Sequence, residues 1–523
     1  MANIHTPDKK EIYVIDSETN PGDGKSILKP FLWVVYNGKK FNHFFTTREM
    51  LSFLFRLGKN IIAYAHNGGK FDFHFLLEFL PDFKALKVIN GSIVKFHFKN
   101  IEFRDSYALI KEALPNTFHD YSLFNEGIRE KYMTQIIEYA FNDVKILYDW
   151  IMAFHNSYGL SLTAASASMN YFIKIGGKMP KTSETYFNRF YPHYFGGRTQ
   201  VFKKGYHKGP IYQYDINSAY PYAQTFDHPA GNILDYEPRM SWSGSNQSLI
   251  TAEVIAEPNT FVRRKESGGL EPVLNESNTI INVTGWELNK ALDLGRVIIV
   301  KIIKSYEFYK TINFKDFVLP LYDLKSKYKK SNDYRYIPTK IISNSLYGKL
   351  AQNPSKFRTN KIISINTEYD ENEYDRSSQP LGDKMIISKP AKSGSYYNEA
   401  TAASITGFGR ALLLDAIHKA GNNIVYCDTD CVMSYIRLDI PVGDGLGMWE
   451  LEKTYSRLYI HSPKTYCGVR SGSNEKIVRS KGIKASYDQI KDSVLNSTPI
   501  IHIPEMPIFS LHKGQYYQTR VVR

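Results

Sequence analysis

The sequence predicts an α/β protein of several domains, and three observations carry that expectation. The chain has 523 residues, enough for about three or four domains. Hydrophobic residues make up 43% and charged residues 23%, the balance of a folded chain with ample material for a buried core. Apolar runs that end in polar tips read as strands, and stretches of helical periodicity fall between them.

The composition also narrows the class of partner. Lys and Arg number 66 against 52 Asp and Glu, a net charge of +14, alongside 38 Tyr and 31 Phe. A basic, tyrosine-rich chain suits a polyanion whose bases stack on rings. Three cysteines, Cys427, Cys431 and Cys467, make neither a disulfide framework nor a four-ligand zinc pattern, which fits a reducing compartment. Met1 to Lys10 has no apolar signal core, and no run approaches about 18 apolar residues. A soluble, intracellular protein is expected, with no membrane partner.

In chain order, residues 12–15 read as a buried strand that delivers Asp16, Ser17 and Glu18 at its end. Residues 31–36 form the next strand, and 61–67 another, followed by Gly68-Gly69 and Phe71-Asp72. Residues 74–80 read as a helix closed by Pro81. Residues 135–150 have helical periodicity, with Tyr139 and Asp143 four apart on one face. Asp16, Glu18, Asp72 and Asp143 therefore occupy strand ends and one helix face. Alone, each reads as a surface carboxylate. Together they can hold two divalent ions about 4 Å apart, the spacing for phosphodiester hydrolysis. One ion lowers the pKa of an attacking water, the other stabilises a leaving 3′ oxygen, and Tyr139 is placed to orient the water.

Tyr194-Phe195-Gly196-Gly197, just past Pro192, reads by itself as a turn. Residues 211–221 contain a strand ending at Asp215, and Pro221 limits how the chain can continue. Residues 224–317 are less legible, with Ser/Gly-rich loops at 241–248 and 267–269 and strand-like runs at 249–255 and 297–303. Residues 325–335 are dense in Lys and Arg. They suit triphosphate or backbone contacts, or else a solvated helix face. In residues 340–348, Lys340, Asn344 and Tyr347 fall at i, i+4 and i+7 on one helical stripe. A cation, an amide and a ring there could hold triphosphate, sugar and base, and Gly348 permits close approach. Residues 357–397 include an acidic run at 368–375, read as a solvated loop or as an insertion that repels a DNA strand or meets a basic partner.

Residues 401–420 read as an amphipathic helix ending at Gly421. Residues 424–433 come next as a β-hairpin with Tyr426-Cys427-Asp428-Thr429-Asp430 at its tip. Carboxylates at i and i+2 of an extended segment point to the same side. Asp428 and Asp430 would repel each other there unless a cation lies between or beside them. Mg²⁺ is the natural choice, since it takes oxygen ligands and leaves room for substrate phosphates.

In this order the motifs resemble those of the family B DNA polymerases. D-x-E at Asp16 and Glu18, N-x-x-x-F-D ending at Asp72 and Y-x-x-x-D at Tyr139 and Asp143 resemble the family's 3′–5′ proofreading exonuclease. The resemblance adds single-strand contacts at Thr19, Asn67 and Phe71. It also implies a catalytic lysine, for which Lys111 is the candidate. Y-x-G-G matches Tyr194, Gly196 and Gly197, a DNA-contacting linker. D-x-x-S-L-Y-P matches residues 215–221, with Ala219 where Leu is usual. That match makes Asp215 a ligand to both catalytic metals, and Tyr220 the residue under the incoming sugar that excludes a ribose 2′-OH. Ala219 trims bulk beside that tyrosine. K-x-x-x-N-S-x-Y-G makes Lys340 a triphosphate ligand and Asn344, Tyr347 and Gly348 pocket residues. Y-x-D-T-D makes Asp430 the second metal ligand, supported by Asp428. K-x-Y matches Lys464 and Tyr466, which steady the primer, with Lys481 and Lys484 as further backbone contacts.

The resemblance implies an RNase H-like exonuclease domain joined to a right-hand polymerase domain of palm, fingers and thumb. The expected divisions are an exonuclease at 1–155, a linker and palm start at 156–223 and a first insertion at 224–317. Fingers at 318–356, a second insertion at 357–397, palm at 398–484 and a small thumb at 485–523 complete the chain. Its short length and two illegible blocks resemble the protein-primed branch of small phages and linear plasmids. A processive, strand-displacing replicase of a linear genome is then expected, monomeric and in the host-cell cytoplasm. It would use two Mg²⁺ in each active site, with Mn²⁺ able to substitute. Template and primer DNA, dNTPs and a terminal priming protein would be its partners. Two rivals stand beside it: a metal-dependent exonuclease with an inactive polymerase body, and a non-catalytic single-stranded DNA-binding protein.

Overall fold

The computed structural model describes residues 10–58, 60–80, 84–115, 120–179, 182–232, 234–266, 268–274, 277–376, 384–391, 396–504, 506–510 and 514–522. The stretch 1–9, Pro81 and Ser267 lie outside the described residues.

The first sheet has seven strands. Across the sheet they run Phe41–Phe44, Pro30–Tyr36, Glu11–Thr19, Ile61–Ala65, Ile101–Asp105, Ser92–Phe98 and Lys84–Ile89. The two central pairings are parallel and the outer four antiparallel. A central parallel strand is covered on both faces, so Ile61–Ala65 is buried at every position. Alternation sorts its neighbours. Val14, Ile62 and Tyr64 pack toward Ile136, Ala140 and Val144 of the long helix Arg129–Tyr158. Tyr13, Ile15 and Ala63 pack toward Met50, Leu54 and Phe73.

Three elements differ in their boundaries from expectation. The first strand continues to Thr19 because its pairing with Pro30–Tyr36 continues, Glu18 opposite Leu32. Asp16 and Glu18 therefore lie within the strand, on the face that Val14 presents to the long helix, while Ser17 faces the other way. The helix expected at 135–150 spans Arg129–Tyr158 and stops at Gly159, whose φ is 81°. The helix expected at 74–80 begins earlier and is Asp72–Leu77.

The second sheet also has seven strands. In spatial order they are Lys476–Ser480, Thr465–Arg470, Trp449–Ser462, Gly205–Ile216, Cys431–Ser434, Ile424–Asp428 and Thr199–Val201. Helix Glu399–Ala420 covers it through Leu413, Ala416 and Ile417 against Tyr214, Ile216 and Trp449. This helix is not amphipathic as expected but buried on nearly every face. The sheet takes one side. Ile405 and Phe408 meet Ile342 and Leu346 on another. Helix Gly285–Asp293 and its cap press on a third. A Cβ on Gly407 would come within 2.2 Å of Thr284 Oγ1.

Arg410 of that helix is buried and makes four hydrogen bonds. Its guanidinium donates to Glu287 Oε1 at 2.7 Å and Oε2 at 2.9 Å, and to the carbonyls of Phe195 at 2.6 Å and Gly196 at 2.8 Å. A two-pronged pair of this kind fixes orientation as well as charge. Arg410→Met would strand Glu287 as a buried, unpaired carboxylate. It is expected to lower stability by about 3–5 kcal/mol in denaturant titration. A loss under about 1 kcal/mol would show that the pair is not structural.

Glu399, at the start of the same helix, is 1% exposed, and neither carboxylate oxygen has a hydrogen-bond partner of good geometry. Burial pushes its pKa from 4.5 up to about 8, against a small lowering by its own backbone N–H. The folded chain thus keeps a proton that the unfolded chain releases near 4.5, so stability falls as pH rises from about 5 to about 8. Glu399→Gln is expected to stabilise the fold by about 2–4 kcal/mol at pH 8 and by almost nothing at pH 5. Melting curves at both pH values check it.

Two smaller sheets lie in the chain between the strands of the large ones. Tyr236–Arg239, Val297–Phe308, Leu249–Ala256 and Thr279–Thr284 form a four-stranded sheet, which contains both strand-like runs expected in 224–317. Arg358–Ser364, Lys384–Pro390 and Asp375–Arg376 form a three-stranded sheet. The acidic run is partly neutralised within that small sheet, where Glu373 pairs with Lys389 and Asp375 with Arg358. The basic run 325–335 is not one helix face. It straddles the turn between helices Lys315–Lys330 and Tyr336–Leu350, with Asn332 at φ 51°. Near the C-terminus, Phe509 packs its ring against Phe71, His74 and Phe75, in and just before helix Asp72–Leu77. Among the described residues no helix is long and apolar enough to cross a membrane.

Candidate active sites

The first site gathers the four acids read from the first third of the chain. Strand alternation turns Asp16 and Glu18 toward the long helix that carries Asp143, and Asp72 opens helix Asp72–Leu77. Burial raises Asp16 well above the usual carboxylate range, and Glu18, Asp72 and Asp143 add repulsion. Burial also raises Glu18, with Asp143 and Asp72 behind it. Asp72 is pushed up to about 7 by burial, although Ser17 Oγ donates to its Oδ1 at 2.6 Å. Asp143 is raised by burial while accepting from the Tyr139 hydroxyl, and its Oδ1 is buried without a partner. Tyr139 in turn hydrogen-bonds to Tyr121.

Four crowded carboxylates call for protons or cations. An all-oxygen set with an orphaned buried oxygen fits a hard divalent ion. Among the described residues no three acid, imidazole or thiol ligands already converge on one point. An ion held there would keep waters and recruit substrate phosphate oxygens, the habit of Mg²⁺.

Asp105, which the sequence reading missed, organises this site. It is buried, raised to about 6 chiefly by burial, and accepts from the backbone N–H groups of Tyr107, Gly69 and Asn67 and from Ser92 Oγ. It thereby fixes the loop that presents Asn67, at φ 58°, and Asp72. Only glycine fits at 69, because a Cβ would lie 1.9 Å from the Ile93 carbonyl oxygen. The Gly68-Gly69 pair was the available signal for a loop pinned from beneath. Thr19 is buried at the strand end, its hydroxyl on the Asn20 carbonyl at 3.1 Å. Phe71 is committed to Phe75 and Phe509. The candidate lysine, Lys111, is not placed among the acids and is not among the charges acting on them. It lines a cleft of about 600 Å³ with Asn67 and Asp105 on one wall and Asn344, Tyr347 and Gly348 on the other.

The second site is built by adjacent strands. Asp215 on Gly205–Ile216 pairs with Cys431, and the Ile216 N–H donates to the Asp430 carbonyl at 2.9 Å. Two acids 215 positions apart are thus neighbours in space. Burial raises Asp215 to about 8, with Asp430 the next cause and Glu452 after it. Burial raises Asp430 to about 6, Asp428 adding and Lys464 subtracting. Both line an open cleft of about 470 Å³ with Glu452, Lys464, Tyr466 and Lys481.

The hairpin tip corrects one reading. Thr429 sits at φ 61° and the Asp430 N–H turns back to the Asp428 carbonyl at 2.7 Å, so the two carboxylates do not share one extended side. The cation beside Asp428 is Lys464, whose Nζ contacts both carboxylate oxygens, at 2.6 Å to Oδ2, while Thr199 Oγ1 donates to Oδ1 at 2.8 Å. Asp430 is left to face Asp215. Gly197 admits this turn, since a Cβ there would meet Thr429 Oγ1 at 2.5 Å. Gly197→Ala is expected to displace Thr429 and cut synthesis about tenfold at unchanged melting temperature, a 1 Å misplacement near reacting groups being costly. Steady-state extension rates check it. Glu452 was missed because one acid in an alternating strand looks like any solvent-facing position.

Around this cleft, Tyr220 stacks on Tyr347 with centroids 4.3 Å apart. Ala219 is buried beside it. Lys325 donates to Ser218 Oγ at 2.5 Å and is lowered to about 8 by burial, with Lys329 and Lys340 adding repulsion. Lys340 itself pairs with Glu112 at 2.8 Å. Tyr194 and Gly196 hold their carbonyls on Arg264 and Arg410. Gly196 and Gly348 have open space where a Cβ would stand. Tyr466 packs under Tyr426 at 5.5 Å, and the Lys481 N–H reaches the Lys464 carbonyl at 3.1 Å. Lys484 lies apart, in a C-terminal cleft with Arg520.

Known proteins resemble this chain along most of its length. The family described as DNA polymerase type B, organellar and viral, matches residues 119–431. The DNA-directed DNA polymerase of Enterobacteria phage PRD1 is 31% identical over 491 residues, covering 90% of this chain and 85% of its own length. A probable DNA polymerase of Ascobolus immersus is 25% identical over 95% of this chain, which spans 49% of that relative. An orthorhombic crystal form of Phi29 DNA polymerase superposes with a TM-score of 0.74 at 17% identity, over 98% of this chain and 100% of that one. Its complex with primer-template DNA gives a TM-score of 0.76 over the same shares. The fold is therefore the α/β architecture expected, an RNase H-like domain joined to a right-hand domain.

Proposed function

We infer the activities of this chain from its family: it belongs to the type B DNA polymerases of organelles and viruses. It is a DNA-directed DNA polymerase, and enzymes of this family use divalent metal ions. Beyond that, the reading is a templated polymerase with a separate 3′–5′ proofreading site, primed by a terminal protein, processive and strand-displacing on a linear genome. The observation that supports it most is the adjacency of Asp215 and Asp430, two half-buried acids brought together where neighbouring strands meet, with Asp430 adding to the rise of Asp215.

In this reading Asp215 and Asp430 hold two Mg²⁺ ions beside the primer terminus. The ions, when bound, supply the Lewis acidity that activates the 3′-OH and offsets the charge of the departing pyrophosphate. Lys340, with Lys325 near it, offers fixed positive charge to the phosphates. Tyr220, stacked on Tyr347, forms the floor under the sugar, and Asn344 and Gly348 complete the pocket. Lys464 neutralises Asp428 and, with Tyr466, steadies the primer, while Tyr194, Gly196 and Gly197 contact DNA. In the editing site Asp16, Glu18, Asp72 and Asp143 hold the second ion pair, Tyr139 orients water, and Thr19, Asn67 and Phe71 guide the frayed strand. The working divisions remain an exonuclease to residue 155, palm from 156–223 and 398–484, fingers at 318–356, insertions at 224–317 and 357–397, and a thumb from 485.

Primer and template DNA and dNTPs are the partners, as in the Phi29 polymerase ternary complex. A terminal protein and a monomeric state in the host cytoplasm belong to the same reading. Primer extension by an Asp16→Ala/Asp72→Ala variant tests the core of it. Full extension without degradation is expected. No extension would leave an exonuclease with an inactive polymerase body, and metal-independent DNA binding without turnover would leave a binding protein. Priming is tested by supplying template and one nucleotide at a time with candidate priming proteins, and looking for nucleotide covalently joined to protein.

A further inference from the structure

Lys340, the cation at the head of the nucleotide stripe, has a partner from the other domain. Its Nζ lies 2.8 Å from Oε1 of Glu112, in the segment that follows strand Ile101–Asp105. The two side chains are 38% and 35% exposed, so water and a competing anion can reach them. Two other polar contacts along this helix are of another kind. Tyr158 and Thr339 share a buried hydroxyl bond of 2.7 Å, and Ser168 Oγ donates to the Ile342 carbonyl at 2.6 Å. Those contacts seat the helix whether or not a charge is present.

Lys340 also lies within electrostatic range of Lys325, as does Lys329. Ammonium groups gathered beside the Tyr220–Tyr347 stack suit a triphosphate, and a carboxylate among them occupies the position of a phosphate oxygen. The segment that carries the carboxylate is tied to the first site as well. His66, next to Asn67, hydrogen-bonds through Nε2 to the Glu112 carbonyl at 3.0 Å.

We propose that Glu112 is a placeholder for phosphate: it holds Lys340 across the domain seam until an incoming triphosphate displaces it. Glu112 thereby sets the nucleotide concentration at which synthesis overtakes degradation. The inference rests on the reading of Lys340 as a triphosphate ligand. A half-exposed pair is weak, which is what a displaceable contact requires. Nucleotide binding must first break it, so affinity is reduced by the strength of the pair. Once Lys340 has transferred to phosphate, Glu112 no longer acts on the reacting atoms, so the effect lies in KM and not in kcat.

Glu112→Gln keeps the size of the side chain and removes its charge. The expected result is a KM for dNTP about two- to fivefold lower at unchanged kcat. The crossover from degradation to synthesis in a nucleotide titration should fall by the same factor. Glu112→Ala should behave alike, which guards against an accidental new contact. An unchanged KM in both variants overturns the proposal, as does a joint fall in kcat and melting temperature, the mark of a structural role. Lys340→Ala separates the two layers. If it raises KM at least tenfold while the Glu112 variants do nothing, the placeholder fails alone. If Lys340→Ala leaves KM unchanged, the assignment of Lys340 fails with it.

Discussion

Asp430→Ala is expected to reduce templated nucleotide incorporation by about a thousandfold or more while 3′–5′ degradation of single strands stays within about twofold. Losing one of the two carboxylates proposed to hold the ions would remove several kcal/mol of charge stabilisation, and each 1.36 kcal/mol is about tenfold in rate. Asp430 stands where no neighbour can replace it. Its neighbour Cys431 is the residue paired with Asp215 across the ladder, and Asp428 is already held by Lys464 and Thr199. Glu452 is close enough to raise Asp215, yet Gln213 donates to its carboxylate and Lys453 pairs with it. Degradation survives because Asp16 and Glu18 sit on a different sheet, and Asp72 and Asp143 on helices Asp72–Leu77 and Arg129–Tyr158. Extension and degradation assays on the same preparation check both halves.

Asp143→Ala is expected to do the reverse, lowering 3′–5′ degradation about a thousandfold with synthesis intact. Asp143 projects from the long helix toward Asp16 and Glu18, and its buried Oδ1 has no hydrogen-bond partner, the chemistry that suits an oxygen ligand to a cation. Removing it also frees Tyr139 from its acceptor, so the water-orienting hydroxyl goes with it. The fold should persist, since deleting one of four mutually repelling acids relieves repulsion. A mismatched primer terminus should then be extended and no longer trimmed. Loss of both activities with either substitution would mean that one site serves both reactions.

Physics at each position decides how much of this was readable from the chain. Alternation and burial made the strands at 12–15, 31–36 and 61–67 legible, because a central parallel strand must be apolar throughout. Helix 399–420 misled because its small Ala, Gly, Ser and Thr residues give no periodic contrast. They are small because three elements close on it at once. The acids proposed as metal ligands were legible as motifs at fixed spacings. Asp105 and Glu452 were not, because their roles come from the segments that fold over them. Asp105 matters through three backbone N–H groups, and no side-chain pattern announces those. Lys464 was read as a primer contact, but its ion pair with Asp428 depends on two strands meeting edge to edge. The turn at Thr429, which separates Asp428 from Asp430, depends on a positive φ that a threonine rarely adopts.

The most direct measurement is anomalous diffraction from crystals grown with Mn²⁺, primer-template DNA and a non-reacting nucleotide analogue. Ions lying about 2–2.6 Å from carboxylate oxygens of both Asp215 and Asp430 are the expected result. Ions bound elsewhere, or by one of the two acids with the other turned away, would contradict the shared site on which the polymerase mechanism rests.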